Sequence, residues 1–99
     1  MAASTHDYEL VVILTPDLTE DALTAGVERV QQAITSRGGE VLDVNPWGRR
    51  RLAYPIKRHL EGNYFVTQMK MDPSKVVDLE SNLRISEEVL RHLVIRTDE

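Results

Sequence analysis

Ninety-nine residues, 41% of them apolar, suffice for one domain that buries about two-thirds of the surface its unfolded chain exposes. The absence of cysteine removes disulfides, thiolate nucleophiles, iron–sulfur ligation and the common structural zinc sites. A formal net charge of −4 argues against a polyanion partner only until its distribution is read. Arg49, Arg50, Arg51, Lys57 and Arg58 fall in a stretch without an acidic residue, and taking those five charges from −4 leaves −9 for the rest.

The first seven residues have neither a basic start nor an apolar stretch, so no secretory or organellar signal is expected and the cytosol is the expected compartment. The longest apolar run, Leu10 to Leu14, is far shorter than the roughly twenty residues of a membrane span.

Tyr8 to Leu14 is β-branched and apolar, and Thr15-Pro16-Asp17 closes it as a first strand. From Thr19, Leu23, Val27, Val30 and Ile34 recur at helical spacing behind an acidic first turn, with Gly38-Gly39 as the stop. Glu40 to Tyr54 reads as extended chain, bent or bulged near Pro46 and Gly48 and ended by Pro55. A basic loop then runs to Gly62. The third strand, Tyr64 to Met71, alternates Phe65, Thr67 and Met69 toward the core against Tyr64, Val66 and Gln68 on the other face.

Asp72-Pro73 supplies an N-cap acceptor and an N1 proline for a second helix carrying Val76, Leu79 and Leu83 and ending near Ile85. Ser86-Glu87-Glu88 turns the chain into a last strand, Val89 to Arg96, whose apolar character on both faces predicts a central position in the sheet. The order βαββαβ defines an α+β, ferredoxin-like split βαβ fold: a four-stranded antiparallel sheet with two helices on one face and the other face open. Residues 1–99 are expected to form a single domain, with 1–7 and 97–99 loose.

In extended chain Arg50 projects opposite to Arg49 and Arg51, which suits an arm lying between two partners, and guanidinium forks suit phosphate oxygens. The plainer reading is a charged edge that keeps sheets from pairing. Lys57, Arg58 and His59, next to Pro55, Ile56 and Leu60, read as a docking surface or as a solubilising hairpin tip. Trp47, Tyr54 and Tyr64 are candidates for base stacking, but strand aromatics more often go to a core or a protein interface. Arg91 is placed with Leu93 and Ile95 on the open face, and His92 with Val94 beneath the helices, as a satisfied core histidine.

Catalysis finds little support. His6, His59 and His92 lack metal-ligand spacing, no Ser or Cys sits in a nucleophile motif, and Glu20-Asp21 and Glu87-Glu88 are explained by helix dipoles. Asn45, Asn63 and Asn82 offer no anion loop of the kind small phosphatases of this fold need, and Gly38-Gly39 follows a helix, whereas phosphate cradles precede one. No cofactor, metal or small-molecule substrate is expected. An RNA-recognition-motif-like binder of single-stranded RNA is the alternative: Gly62, Phe65 and Val66 match its third-strand signature, whereas Glu61, Asn63 and Gln68 do not. A metabolite-sensing regulator that assembles through its open sheet face is a further one.

Gly48-Arg49-Arg50-Arg51-Leu52-Ala53-Tyr54-Pro55-Ile56-Lys57, followed by Gly62 and Tyr64, resembles the family of the sixth protein of the bacterial small ribosomal subunit. The resemblance continues through Tyr8-Glu9-Leu10, Pro16-Asp17-Leu18, Leu83-Arg84-Ile85, Val89, Arg91 and Val94. It implies the ferredoxin-like fold, no enzymatic activity, and binding to the central domain of small-subunit ribosomal RNA together with the eighteenth small-subunit protein as a heterodimer. Carried over by position, it implies RNA contacts at Arg49, Arg50, Arg51, Lys57, Arg58 and Arg91, and partner-protein contacts at Tyr54, Pro55 and Ile56; Trp47 joins the latter as an interface aromatic. Some relatives carry arginines just before the first-strand tyrosine, where this chain has His6 and Asp7, so no RNA contact is carried over there.

Overall fold

A computed structural model describes residues 5–98. The elements are β1 (His6–Leu14), α1 (Glu20–Thr35), β2 (Glu40–Ile56), β3 (His59–Met71), α2 (Pro73–Ile85) and β4 (Val89–Arg96). The strands lie in the order β2-β3-β1-β4, every neighbouring pair antiparallel. This is the expected ferredoxin-like architecture.

The helices form where side chains satisfy their free ends. Thr19 accepts a hydrogen bond from the Ala22 N–H at 3.2 Å, and Glu20 and Asp21 follow in the positive first turn of α1. At its other end the Gly39 N–H reaches the Ile34 carbonyl and the Gly38 N–H that of Thr35, the paired bonds of a Schellman motif. Gly38 supplies the left-handed residue this motif requires, at φ +79°. In α2 the Asp72 carboxylate accepts from the Ser74 N–H at 2.8 Å, and that bond, joined by the Ser74 hydroxyl, holds its carboxyl below the usual carboxylate range.

Both helices cover the same sheet face. Val30, Ala33 and Ile34 of α1 and Val76, Leu79 and Leu83 of α2 pack on Tyr8, Leu10, Val12, Leu14, Phe65, Met69 and Met71 from the two central strands. Complete burial of one such aliphatic or aromatic side chain stabilises by about 1.5–3 kcal/mol, so this cluster is the principal favourable term of the fold. Phe65, Thr67 and Met69 lie on this face as the alternation predicts, and all three are buried.

Three expectations are corrected. β4 is an edge strand paired only with β1; its apolar outer side consists of Leu93 and Ile95, which remain 49% and 42% exposed on the uncovered face. Proline does not end β2, because Pro55 falls where pairing is interrupted between Arg51 and Ile56 and no ladder donor is needed. The basic loop is a two-residue turn at Lys57-Arg58, so β3 starts at His59 and already pairs there with Ile56.

The chain ends described are joined to the sheet. The Thr97 N–H bonds the Asp7 carbonyl, while the Asp98 carboxylate receives the Asp7 N–H at 3.1 Å, contacts the His6 ring at 3.2 Å and receives Arg96 at 2.8 Å. The rest of the segments expected to be loose, residues 1–4 and 99, lies outside the described residues.

Candidate nucleic-acid interface

The register makes a projecting arm. β1 meets β3 from Met71 only as far as Asn63, opposite Leu14, whereas β2 and β3 continue past that point to the Ile56–His59 pair. The β2–β3 hairpin therefore reaches beyond the end of β1 and carries Arg50, Arg51, Lys57 and Arg58 with it, while Arg49 stands level with the last β1 row at its base. At its base Gly48 takes a left-handed φ of +82° where the register shifts between Pro46 and Gly48, leaving Trp47 as the extra residue of a bulge.

The tip is a turn with both central residues left-handed, Lys57 at φ +50° and Arg58 at φ +70°. A two-residue hairpin of the matching twist demands this conformation, which Asn-Gly adopts readily; an ordinary side chain costs about 1–2 kcal/mol there. Two long cations held at such a cost point to a function for the tip.

Cross-strand pairing confirms the division of the arginines. Arg49 lies opposite Asn63 and Arg51 opposite Glu61, on the face the helices cover. Arg49 donates to the Pro16 carbonyl at 2.6 Å and stands 3.7 Å from Glu61. Arg51 and Arg58 join it around one concavity with Pro16, Asp17, His59 and Glu61, His59 being 3.9 Å from Asp17. Neither Arg51, Arg58 nor Lys57 makes a hydrogen bond or ion pair among the described residues, so their charges are available to a partner.

Arg50 faces the open side of the sheet. Its guanidinium sits 5.2 Å from the Trp47 ring centre, and Trp47 in turn lies nearly parallel to Tyr64, with centroids 6.4 Å apart and planes 10° from one another. Arg91 arrives from β4, donating to the Tyr54 hydroxyl from a position over its ring. The six cations thus form a helix-side set (Arg49, Arg51, Arg58), an open-face set (Arg50, Arg91) and Lys57 at the tip.

Of the two fates expected for the strand aromatics, core or interface, Trp47 and Tyr54 do not take the first, because no second layer covers the open face. Trp47 and Tyr54 remain 45% and 53% exposed. Pro55 is exposed beside them, whereas Ile56 is half-buried.

A second apolar cluster was not singled out from the sequence. Ile13, Leu52 and Leu90 are buried together on the open face, with Ile56 and Tyr64 packed against them. Gly62 lies under this cluster: a Cβ at that position would stand 2.4 Å from Ile13 Cγ2 and 3.6 Å from Leu52 Cδ2. Alternation along β1 places Ile13 opposite to Val12 and Leu14, which is the signal that could have located the cluster.

The histidines behave structurally. His92 Nε2 lies 3.2 Å from Glu80 Oε2 beneath α2, with its side chain 13% exposed, as expected of a satisfied histidine. Among the described residues no three His, Asp or Glu side chains are grouped to hold a metal, and no helix is long and apolar enough to cross a membrane.

The fold and site define a small α+β protein of ferredoxin-like architecture with an open sheet face and a basic hairpin projecting past its end, and comparison with known proteins gives the particular family. The model for ribosomal protein S6 matches residues 7–96. The small ribosomal subunit protein bS6 of Dehalococcoides mccartyi strain CBDB1 is 45% identical across 95% of this chain and 86% of its own length. The bS6 of Moorella thermoacetica is 41% identical across 95% and 96%. The crystal structure of 30S ribosomal protein S6 from Thermotoga maritima superimposes with a TM-score of 0.89 at 32% identity, covering 95% of this chain and 89% of that one. The chain belongs to the bacterial ribosomal protein S6 family. It is accordingly a protein of the small ribosomal subunit, placed with the ribosome in the cytoplasm, and not an enzyme.

Proposed function

We propose that this protein binds the central domain of small-subunit ribosomal RNA as a heterodimer with the eighteenth small-subunit protein, the arm lying between the two. The observation that carries this reading is the arm itself: five cations without an acidic neighbour in sequence, on a hairpin that projects from an otherwise acidic domain. Phosphate contacts fix position and give the complex its salt dependence. In this reading Arg51, Lys57 and Arg58, which are unengaged among the described residues, meet RNA phosphates. Arg49 stands beside them on the helix side held by Pro16, and Arg50 and Arg91 complete the contact at the margin of the open face. Exposed Trp47, Tyr54 and Pro55, with Ile56 beside them, present the rigid aromatic and apolar area favoured at protein interfaces.

The alternative single-strand reader loses ground on geometry. The third strand offers one aromatic on its open face, Tyr64, and Trp47 already stacks on it.

The test is RNA binding with the partner protein present, measured over a range of salt. Replacing Arg51 with Ala and Arg58 with Asn, which tolerates the left-handed turn, should weaken binding and flatten the slope of log K against log salt by about 0.7–0.9 for each cation removed. An unchanged affinity and slope would remove the arm from the RNA interface.

A further inference from the structure

The arm is held to the domain from both sides, and the residues that hold it are not the residues free to meet phosphate. On the open face Leu52 is buried at 8% exposure against Ile13 and Leu90, and Ile13 packs so closely on Gly62 that the latter has no room for a Cβ. On the helix side Arg49 donates to the Pro16 carbonyl at the end of β1, and neighbouring Asn63 donates to the Thr15 carbonyl at 3.0 Å. Each contact joins the β2–β3 hairpin to the segment where β1 stops.

The geometry points to a two-sided lock, Leu52–Ile13–Gly62 on one face and Arg49–Pro16 on the other, that sets the angle of the arm before RNA arrives. Gly62, Leu52 and Arg49 are then positioning residues, and Arg51, Lys57 and Arg58 the phosphate contacts. This inference rests on the RNA-binding reading for its effect on affinity, but the lock itself is a property of the free protein.

The physical argument is preorganisation. A hairpin extending past the last strand that pairs with it is frayed by default, since its far end gains no ladder from β1. If loose, it must be ordered at the moment of binding, and the ordering is subtracted from affinity. Apolar burial at Leu52 together with a short hydrogen bond from Arg49 orders it in advance. The assignment also explains why Arg49 differs from its neighbours: its guanidinium is occupied by Pro16 and Glu61, whereas Arg51 has no such partner among the described residues.

Three substitutions that leave the charge unchanged test this in the full-length protein: Gly62→Ala, Leu52→Ala and Arg49→Lys. The first forces Ile13 aside, the second empties the satellite cluster, and the third keeps the charge while losing the planar fork. None of the three residues belongs to the main core between sheet and helices, so thermal unfolding should show a folded domain. Limited trypsin digestion should then cut the arm after Arg51, Lys57 and Arg58 several-fold faster in the variants than in the wild type. RNA affinity with the partner present should fall about tenfold for Gly62→Ala, with the salt slope unchanged because the same phosphates are neutralised in the complex.

Wild-type cleavage rates in all three folded variants would overturn the lock. A reduced salt slope for Gly62→Ala, or for a further Arg49→Gln variant that removes the charge, would overturn the division between positioning and contact residues. Should Arg51→Ala with Arg58→Asn leave the slope untouched, the RNA reading fails by itself, and the digestion rates still decide the lock.

Discussion

The guanidinium of Arg91, on edge strand β4, donates a hydrogen bond to the hydroxyl of Tyr54 on the arm and lies 5.9 Å from the centre of its ring. The contact spans the open face of the sheet, since β4 and β2 are its two outermost strands. Arg91 is therefore engaged with the arm before any partner arrives. A double-mutant cycle with Arg91→Ala and Tyr54→Ala, followed by urea unfolding, should give a coupling of about 0.5–1 kcal/mol. Additive losses would show that the two side chains do not communicate.

The tip offers a trade of stability against binding. Substituting Lys57→Asn and Arg58→Gly places in the turn the pair its backbone prefers, and should raise unfolding stability by about 1–2 kcal/mol. The same protein should bind RNA more weakly with a flatter salt slope, because two cations are gone. A turn variant no more stable than the wild type would mean that the left-handed residues carry no strain.

One buried hydroxyl lacks a partner among the described residues. Thr67 is fully buried in β3 between Leu10 and Val44, and its Oγ1 makes no hydrogen bond. Thr67→Val removes a desolvated polar atom at nearly constant shape, so the chemical unfolding midpoint should rise by an amount equivalent to about 1 kcal/mol. A loss of stability would indicate that the hydroxyl is satisfied in solution.

Asp98 should leave a signature at low pH. The hydrogen bond from Arg96 is the first cause that holds its carboxyl down to about 2 from an ordinary 3.8, followed among the lowering contacts by the Asp7 N–H and His6. A carboxyl depressed on folding stabilises the folded state above its unfolded pKa and loses that contribution as pH falls through the folded one. The stability difference between wild type and Asp98→Asn should thus be present above pH 3.8, shrink between 3.8 and about 2, and disappear below. NMR titration of the Asp98 carboxyl checks the same point directly, and a midpoint near 3.8 would contradict it.

The elements were largely legible because their signals are local. Thr19 and Asp72 cap helices through bonds to residues two or three positions on, Gly38 ends α1 through its own backbone freedom, and the alternation of Phe65, Thr67 and Met69 records which side of β3 meets the helices. The basic stretch and the opposed directions of its arginines were readable for the same reason, charge and the period of a strand being properties of the chain itself.

Edge and centre were not legible in this way. Val89 to Arg96 is apolar on both sides, which a central strand shares with an edge strand whose outer face awaits a partner, and only the pairing order separates the two. Nor does Pro55 by itself reveal whether it ends a strand or falls in a gap of the ladder. Sequence alone determined the βαββαβ order, the acidic body and the basic arm, through caps, periodicity and charge. Tertiary structure decided which arginines are occupied and which are free, because that depends on Pro16 and Arg91 meeting the arm across distances that no local pattern encodes.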